Sequence, residues 1–161
     1  MKKRLIVFYS YTGHTKYIAE LIKSKLQCDM CEIKPIKPYS DDYDLVVDEY
    51  QNNERAQETP EIEKLEIDLN EYDEIIVGSP VWWYTITPPI RTFLKENDLS
   101  GKIIVPFATN AGWLGRTFGE IKKLCKDAIV ENEMNIVFTS DHTKNELITD
   151  KKEIEEWINN L

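Results

Sequence analysis

The sequence lacks an apolar run long enough for a membrane helix. A helix that crosses a bilayer needs about 20 consecutive apolar residues, and charged or polar residues interrupt every run here well before that length. The first run ends at Ser10 and leads into a helical pattern, without the small-residue cleavage site of a signal peptide. We therefore expect a cytoplasmic protein with no membrane span.

Positive charge is also in short supply. The chain has 20 lysines and arginines against 29 aspartates and glutamates, a formal net charge of −9. Most of the surface should therefore repel nucleic-acid phosphates and anionic lipid, and we expect no nucleic-acid partner. An acidic surface suits docking onto a basic patch of a partner protein, although it also serves solubility alone.

Cysteine is rare, with Cys28, Cys31 and Cys125 only. Three cysteines cannot form a complete disulfide set and indicate a reducing compartment. Cys28 and Cys31 have the C-x-x-C spacing of a dithiol motif, but their segment is predicted to be a strand, where residues three apart point to opposite faces. We interpret both as small core residues, with a redox role as the alternative. The sequence shows no metal-ligand cluster and no catalytic Ser/His/Asp set.

Strand-like and helix-like segments alternate along the 161 residues. Apolar runs rich in β-branched residues predict strands, and apolar residues at helical spacing predict helices between them. The predicted strands are 3–9, 28–33, 74–78, 102–109 and 135–139; the predicted helices are 13–26, 89–94, 119–125 and 150–161, with another indicated around 46–50. This alternation predicts a doubly wound α/β fold, a parallel sheet with helices on both faces, in a single domain of residues 1–161.

Parallel sheets of this type bind ligands beyond the carboxyl ends of their strands. The strand-to-helix loops 10–15, 79–88 and 109–117 are therefore the candidate site.

The first of these loops reads SYTGHT. It places three hydroxyl side chains and Gly13 at the start of a helix, where unpaired N–H groups and the positive end of the helix dipole favour a phosphate. The alternative is that Thr12 only caps the helix, but a cap needs a single hydroxyl. Patterns typical of nucleoside triphosphate or dinucleotide sites are missing, which favours a mononucleotide.

The second and third loops offer flat surfaces and polar edges. Trp82, Trp83 and Tyr84 are adjacent, and three large aromatic side chains in one loop cannot all turn inward, so we expect at least one to be exposed or to cover a planar ring. Anchoring of the loop in the core is the alternative. The third loop begins TNAGW, and its backbone could bind the edge of a heterocycle or form an ordinary turn.

These motifs resemble a known family. Ser10-Tyr11-Thr12-Gly13-His14-Thr15 is similar to the FMN-phosphate loop of flavodoxins, whose pattern is [ST]-x-T-G-x-T after the first strand. The segments YDEIIVGSPVWWYTITPPIRTFL and DLSGKIIVPFATNAGWLGRTFGEIKKLC resemble flavodoxin-like proteins with a P-x-W-W loop, so the resemblance covers nearly the whole chain. It implies a five-stranded sheet in the order 2-1-3-4-5, with FMN at the switch between strands 1 and 3.

The resemblance also implies which residues hold the cofactor. The phosphate would be held by Ser10, Thr12, Gly13, His14 and Thr15; the isoalloxazine ring would lie along Pro80, Val81, Trp82, Trp83 and Tyr84, with Trp82 or Trp83 stacked on it; its pyrimidine edge would meet Thr109, Asn110, Ala111 and Gly112. Many relatives have glycine where this chain has Tyr84, and a side chain there makes a left-handed backbone costly.

The function implied is an FMN-binding redox protein that carries electrons between partner proteins or substrates. One alternative is an FMN-dependent NAD(P)H or quinone oxidoreductase acting on its own small substrate. Another is a binding module that has lost the cofactor, which the intact SYTGHT motif disfavours. We expect a monomer or a weak homodimer.

Overall fold

A parallel sheet forms the centre of the molecule in the computed structural model, which describes residues 2–161. Its strands are β1 (Arg4–Phe8), β2 (Asp29–Glu32), β3 (Glu74–Trp82), β4 (Thr85–Ile86), β5 (Ile103–Asn110), β6 (Ile129–Val130) and β7 (Met134–Val137). The order is β2-β1-β3-β5-β6, and β7 pairs with β5 beyond the end of β6. Because β6 and β7 share the fifth position, the expected order 2-1-3-4-5 is confirmed.

Helices cover both faces of this sheet. They are α1 (His14–Leu26), α2 (Tyr43–Tyr50), α3 (Asn53–Ala56), α4 (Pro88–Glu96), α5 (Thr117–Leu124) and α6 (Lys151–Asn159), with a short 3-10 helix at Leu69–Glu71. Apolar side chains of α1 and α6 pack on the face that carries Ile6 and Phe8, while those of α4 and α5 pack on the face that carries Leu5 and Val7. This is the doubly wound arrangement predicted from the sequence. Within residues 2–161, every helix falls short of the length and apolar character that a bilayer crossing requires.

The two cysteines of the C-x-x-C spacing point to opposite faces of the sheet. Cys28 packs against the cluster under α1 and α6, whereas Cys31 packs against the cluster under α4 and α5. Burial raises the pKa of both thiols above the usual cysteine value. Both side chains are half-buried against these clusters, in keeping with the interpretation as small core residues, and the redox alternative stays untested.

The segment predicted as loop 79–88 is largely a β-hairpin. Strand β3 continues to Trp82 and then pairs with β4 in antiparallel fashion. The pairing of β1 with β3 ends at the contact between Phe8 and Gly78, while β3 stays paired with β5 as far as Pro80. A proline, which lacks an N–H, is tolerated there because one edge of β3 is no longer part of a ladder.

Candidate functional site

A cavity of about 470 Å³ opens at the carboxyl ends of β1, β3 and β5. Its volume falls in the range of about 300 to 1,000 Å³ typical of small-molecule sites. All three predicted loops contribute to its wall, through Thr12, His14, Pro80, Val81, Trp82, Trp83, Tyr84, Thr109, Asn110 and Ala111. Ten of the fourteen residues predicted from the sequence are therefore brought together around one space.

The start of α1 provides backbone donors beside this cavity. Gly13 occupies the N-cap position with φ 109° and ψ −11°, and no side chain within residues 2–161 caps the helix through that position. A Cβ built on Gly13 would meet no atom within 4 Å. The space beside Gly13 is therefore open, and the positive end of the helix dipole at this point favours an anion.

The three hydroxyls of the SYTGHT loop do different things. Thr12 lines the cavity. Ser10 Oγ accepts a hydrogen bond from the backbone N–H of Lys16 at 3.2 Å, and the buried Thr15 Oγ1 lies 2.8 Å from Thr109 Oγ1. Ser10 and Thr15 therefore stabilise the loop, and Thr15 ties it to the end of β5.

Gly112 is exposed in the third loop and does not line the cavity. Its N–H donates to Asn110 Oδ1 at 2.9 Å, and the N–H of Trp113 donates to the same oxygen at 3.0 Å. These bonds form a tight turn that fixes the third loop just after β5. Ser10, Gly13, Thr15 and Gly112 are outside the lining of the cavity, and contacts with a cofactor stay predictions for all fourteen residues.

Trp82 lies in a cluster of tyrosines. Its ring is 5.0 to 5.9 Å from the rings of Tyr9, Tyr11, Tyr39 and Tyr50. Burial raises the pKa of Tyr9 and Tyr39 well above the usual range, so both phenols stay neutral at physiological pH. The cluster fixes one aromatic wall of the cavity without adding charge.

The other aromatic side chains at the mouth are more exposed. Trp83 is half-buried, and its Nε1 donates to Asn53 Oδ1 at 2.9 Å. Tyr84 is 41% exposed and Trp113 is 63% exposed, and their rings lie edge to face at 6.4 Å. As expected, the three adjacent aromatic residues of the second loop do not all turn inward.

The turn that presents Trp83 and Tyr84 is strained. Both residues have a left-handed backbone, with φ 51° and φ 65°. A two-residue hairpin turn with positive φ at both positions normally carries asparagine or glycine, because other residues cost about 1 to 2 kcal/mol each in this region. The left-handed backbone at Tyr84 is therefore adopted despite its side chain. Strain of this kind persists only where surrounding contacts hold it.

Gly115 supplies one of those contacts. The backbone N–H of Arg116 donates to Tyr84 O at 2.8 Å, which brings the third loop against the hairpin. A Cβ on Gly115 would lie 2.5 Å from both Tyr84 Cβ and Tyr84 O. Only glycine allows this approach, and Gly115 itself has φ 54°.

A buried ion pair between α4 and α5 contacts the second strand of the hairpin. Arg91 on α4 is 1% exposed; its Nη1 donates to Glu120 Oε1 of α5 at 2.5 Å, and its Nη2 lies 3.4 Å from Thr85 Oγ1 of β4. Burial alone would raise the pKa of Glu120, but the hydrogen bond and charge of Arg91 lower it below the usual value. The pair thus links two helices to the strand that follows Tyr84.

The lining of the cavity is almost free of formal charge. Among residues 2–161, the lining includes no lysine, arginine, aspartate or glutamate, and it contains two histidines, His14 and His142. Any anion held here would be bound mainly by neutral N–H and O–H groups. The carboxylates of α2, such as Asp44 and Asp48, are exposed on its outer side.

The family model described as Flavodoxin matches residues 3–161. This chain belongs to the flavodoxin family. No curated protein matches it.

Among solved structures, a protein from Bacteroides eggerthii DSM 20697 is 27% identical, with a TM-score of 0.78 over 99% of this chain and 98% of that one. A flavoprotein from Lactobacillus acidophilus NCFM, solved in complex with FMN, is 27% identical, with a TM-score of 0.75 over 98% of this chain and 99% of that one. Oxidised Flavodoxin 2 from Bacillus cereus is 21% identical, with a TM-score of 0.57 over 98% of this chain and 94% of that one, a likeness in fold alone.

Several wall residues of this flavodoxin-family site were not among those predicted. They are Tyr11 in the first loop, Tyr43, Val46, Val47, Tyr50 and Gln51 around α2, and Thr139, Ser140 and His142 after β7. Trp113 of the third loop also lines the cavity. The apolar spacing of Val46, Val47 and Tyr50 gave the one available signal, since it marked a helix with a buried face. The residues after β7 belong to no motif.

We expect Gly115→Ala to destabilise this flavodoxin-family protein by about 2 kcal/mol, because the added methyl group overlaps Tyr84 and the hairpin must move. Gly119→Ala is the matched control. Gly119 lies within α5 with no atom within 4 Å of a built Cβ, so alanine there should stabilise by about 0.5 to 1 kcal/mol. Urea unfolding of both variants measures the two effects. Equal stabilities would contradict the close contact between Gly115 and Tyr84.

Proposed function

We propose that this chain is an FMN-binding redox protein that carries electrons between partner proteins or substrates, in one domain of residues 1–161. The observation that carries the proposal is the cavity that joins the start of α1, where Gly13 is the N-cap residue, to aromatic walls at the switch between β1 and β3. FMN has both matching parts, a phosphate ester and a planar ring. The FMN complex of the Lactobacillus acidophilus relative supports the same ligand.

The residues present fit this cofactor. The phosphate would be held by N–H groups around Gly13 and by the hydroxyl of Thr12, because helix starts with approachable amides bind phosphate without a cation. The isoalloxazine ring would lie between the hairpin and the third loop, against Trp82, Trp83 and Tyr84. Backbone groups of residues 109–112 would meet its pyrimidine edge.

The flavin and the protein would have different roles in this site. When bound, the flavin supplies the electron-transfer chemistry. The first loop would bind the phosphate, the hairpin at Trp83 and Tyr84 would orient the ring, and the tyrosine cluster around Trp82 would exclude water from the inner part of the cavity. Because Tyr84 and Trp113 are exposed, the outer edge of the site stays open to a partner or a small acceptor.

The visible spectrum of the purified protein tests the proposal first. We expect flavin absorption bands that acid precipitation releases into the supernatant, as for a non-covalent cofactor. Protein purified without flavin should quench FMN fluorescence on titration and take up one equivalent. Correctly folded protein, checked by circular dichroism, that fails to bind FMN at high micromolar concentration would overturn the assignment.

The exposure of Tyr84 and Trp113 also favours a second candidate, an FMN-dependent NAD(P)H or quinone oxidoreductase. An exposed aromatic pair beside the flavin offers a surface on which a planar acceptor can stack. Steady-state oxidation of NADH or NADPH with a quinone, with no second protein present, distinguishes the two. Turnover favours the oxidoreductase, and its absence with a flavin-loaded protein favours the electron carrier.

A further inference from the structure

A fourth loop reaches the cavity, between β7 and α6. Residues 139–146 form it, closed at its base by the backbone N–H of Thr139 donating to Glu146 O at 2.8 Å and by the bridge between Phe138 and Leu147. Thr139, Ser140 and His142 from this loop line the cavity. The loop therefore forms part of the cavity wall.

Two ring stacks and one hydrogen bond position this loop beside the start of α1, where the phosphate is proposed to bind. The ring of His14, the first residue of α1, lies parallel to that of Phe138 at 4.0 Å and 3°, and its Nε2 bonds Lys144 O at 2.6 Å. The ring of His142 lies parallel to that of Tyr43 of α2 at 3.8 Å and 3°. The hydrogen bond between His14 and Lys144 joins the fourth loop to the start of α1, the first stack lies next to it at Phe138, and the second stack joins the loop to the opposite wall.

The polar groups of this loop are not all used. Thr139 Oγ1 is buried and, among residues 2–161, has no hydrogen-bond partner. A buried hydroxyl without a partner is costly and points to a ligand that the bare chain does not supply. Both His14 and His142 line the cavity, but Nε2 of His14 is already bonded to Lys144 O, so His142 is the better candidate for a contact with a ligand.

We propose that the fourth loop completes the phosphate site, with Thr139 and His142 donating hydrogen bonds to the phosphate ester of FMN. Tyr43 is a positioning residue, because its ring fixes the plane of the imidazole. This inference rests on the proposed function, since it names further contacts of the same cofactor. Its chemistry is direct: a hydroxyl and an imidazole N–H both donate to phosphate oxygens, and hydrogen bonds to a charged acceptor are the stronger ones.

His142→Ala tests the imidazole. We expect the Kd for FMN to rise about tenfold and the ³¹P resonance of bound FMN to shift, while the visible spectrum of the bound ring stays as in wild type. His142→Gln, which keeps a donor, should restore most of the affinity. Asn145→Ala is the control, because Asn145 is exposed in the same loop and lies outside the cavity wall.

Two results would overturn the role of His142. One is a Kd for His142→Ala within twofold of wild type, and the other is a changed ring spectrum with an unmoved ³¹P resonance, which would place the effect at the isoalloxazine. Wild-type protein that fails to bind FMN would instead overturn the proposed function, so the two failures are distinguishable.

Thr139→Val tests the hydroxyl, because it should leave the stability of the flavin-free protein unchanged or higher while it weakens the binding of FMN. Valine is nearly the same shape and removes a buried polar group without a partner, so the melting temperature of the flavin-free protein should stay the same or rise. The Kd for FMN should rise severalfold, because the ligand loses a donor. A lower melting temperature of the flavin-free protein, or an unchanged Kd, would overturn this contact.

Discussion

Replacing Gly13 by alanine is expected to weaken FMN binding about a hundredfold while the protein stays folded. Gly13 has φ 109°, well beyond the left-handed region near 57° that other residues tolerate. An added Cβ meets no atom, so the strain acts on the backbone alone, and the peptides around Gly13 must rotate. Two hydrogen bonds from these N–H groups to a phosphate, at about 1.5 kcal/mol each, correspond to the expected loss.

Gly101→Ala is the matched control for this variant. Gly101 has φ 78° with no atom within 4 Å of a built Cβ, and it precedes β5 at the end of the sheet away from the cavity. Both variants should lose about 1 kcal/mol of stability. Fluorescence titration with FMN should separate them: the Kd of Gly101→Ala should match wild type. Equal affinities of the two variants would show that Gly13 does not shape the phosphate site.

The sheet and its three loops were predictable because their signals are local. A buried strand followed by an amphipathic helix fixes the position of each crossover, and the SYTGHT motif begins two residues after the end of β1. The register that joins β1, β3 and β5 then brings the loops together without further information. For this reason ten of the predicted residues line a single cavity.

The remaining wall was not predictable because its residues act through tertiary contacts. The segment around α2 is polar and acidic, and its inner face matters only because it folds over Trp82. His142 lies in a turn that carries no recognisable motif. Its ring is positioned by stacking on Tyr43, which is distant in sequence.

The backbone conformation of the hairpin at Trp83 and Tyr84 also could not be predicted from the local sequence. Nothing local predicts a left-handed conformation for two aromatic residues. Gly115 and Arg116, some thirty residues later, hold it by close approach and a hydrogen bond.

Arg91→Met is expected to lower the free energy of unfolding by about 3 kcal/mol. The change leaves the carboxylate of Glu120, which is 12% exposed, without its partner, and it removes the contact to Thr85 Oγ1. Breaking a buried ion pair from one side costs about 3 to 5 kcal/mol, and the partial exposure of Glu120 places this case at the lower end. Urea unfolding at neutral pH measures the loss. Because β4 is anchored by this pair, the hairpin at Tyr84 should also become more mobile.

The double variant Arg91→Met with Glu120→Leu distinguishes the effect of an unpaired charge from the effect of lost side-chain packing. It removes both charges together with Arg91 Nε, which has no hydrogen-bond partner among residues 2–161. It should therefore recover most of the stability that the single variant loses. Lys122→Met is the surface control: its pair with Glu133 is 50% and 41% exposed, so the change should cost no more than about 1 kcal/mol. A double variant as unstable as Arg91→Met would assign the effect to lost packing.

The pH dependence gives an independent check on the same pair. Arg91 lowers the pKa of Glu120 in the folded protein below its ordinary value of 4.5, so the pair contributes stability above that pH. This contribution is lost as the pH falls through 4.5 towards the lower folded value, where the carboxylate takes up a proton. In Arg91→Met the carboxylate of Glu120 is partly buried without its hydrogen-bonded partner, so its protonation in acid removes part of the cost of the substitution. The stability difference between wild type and Arg91→Met should therefore be largest near neutral pH and shrink in acid; a difference that stays constant from pH 7 to pH 4 would contradict an electrostatic origin.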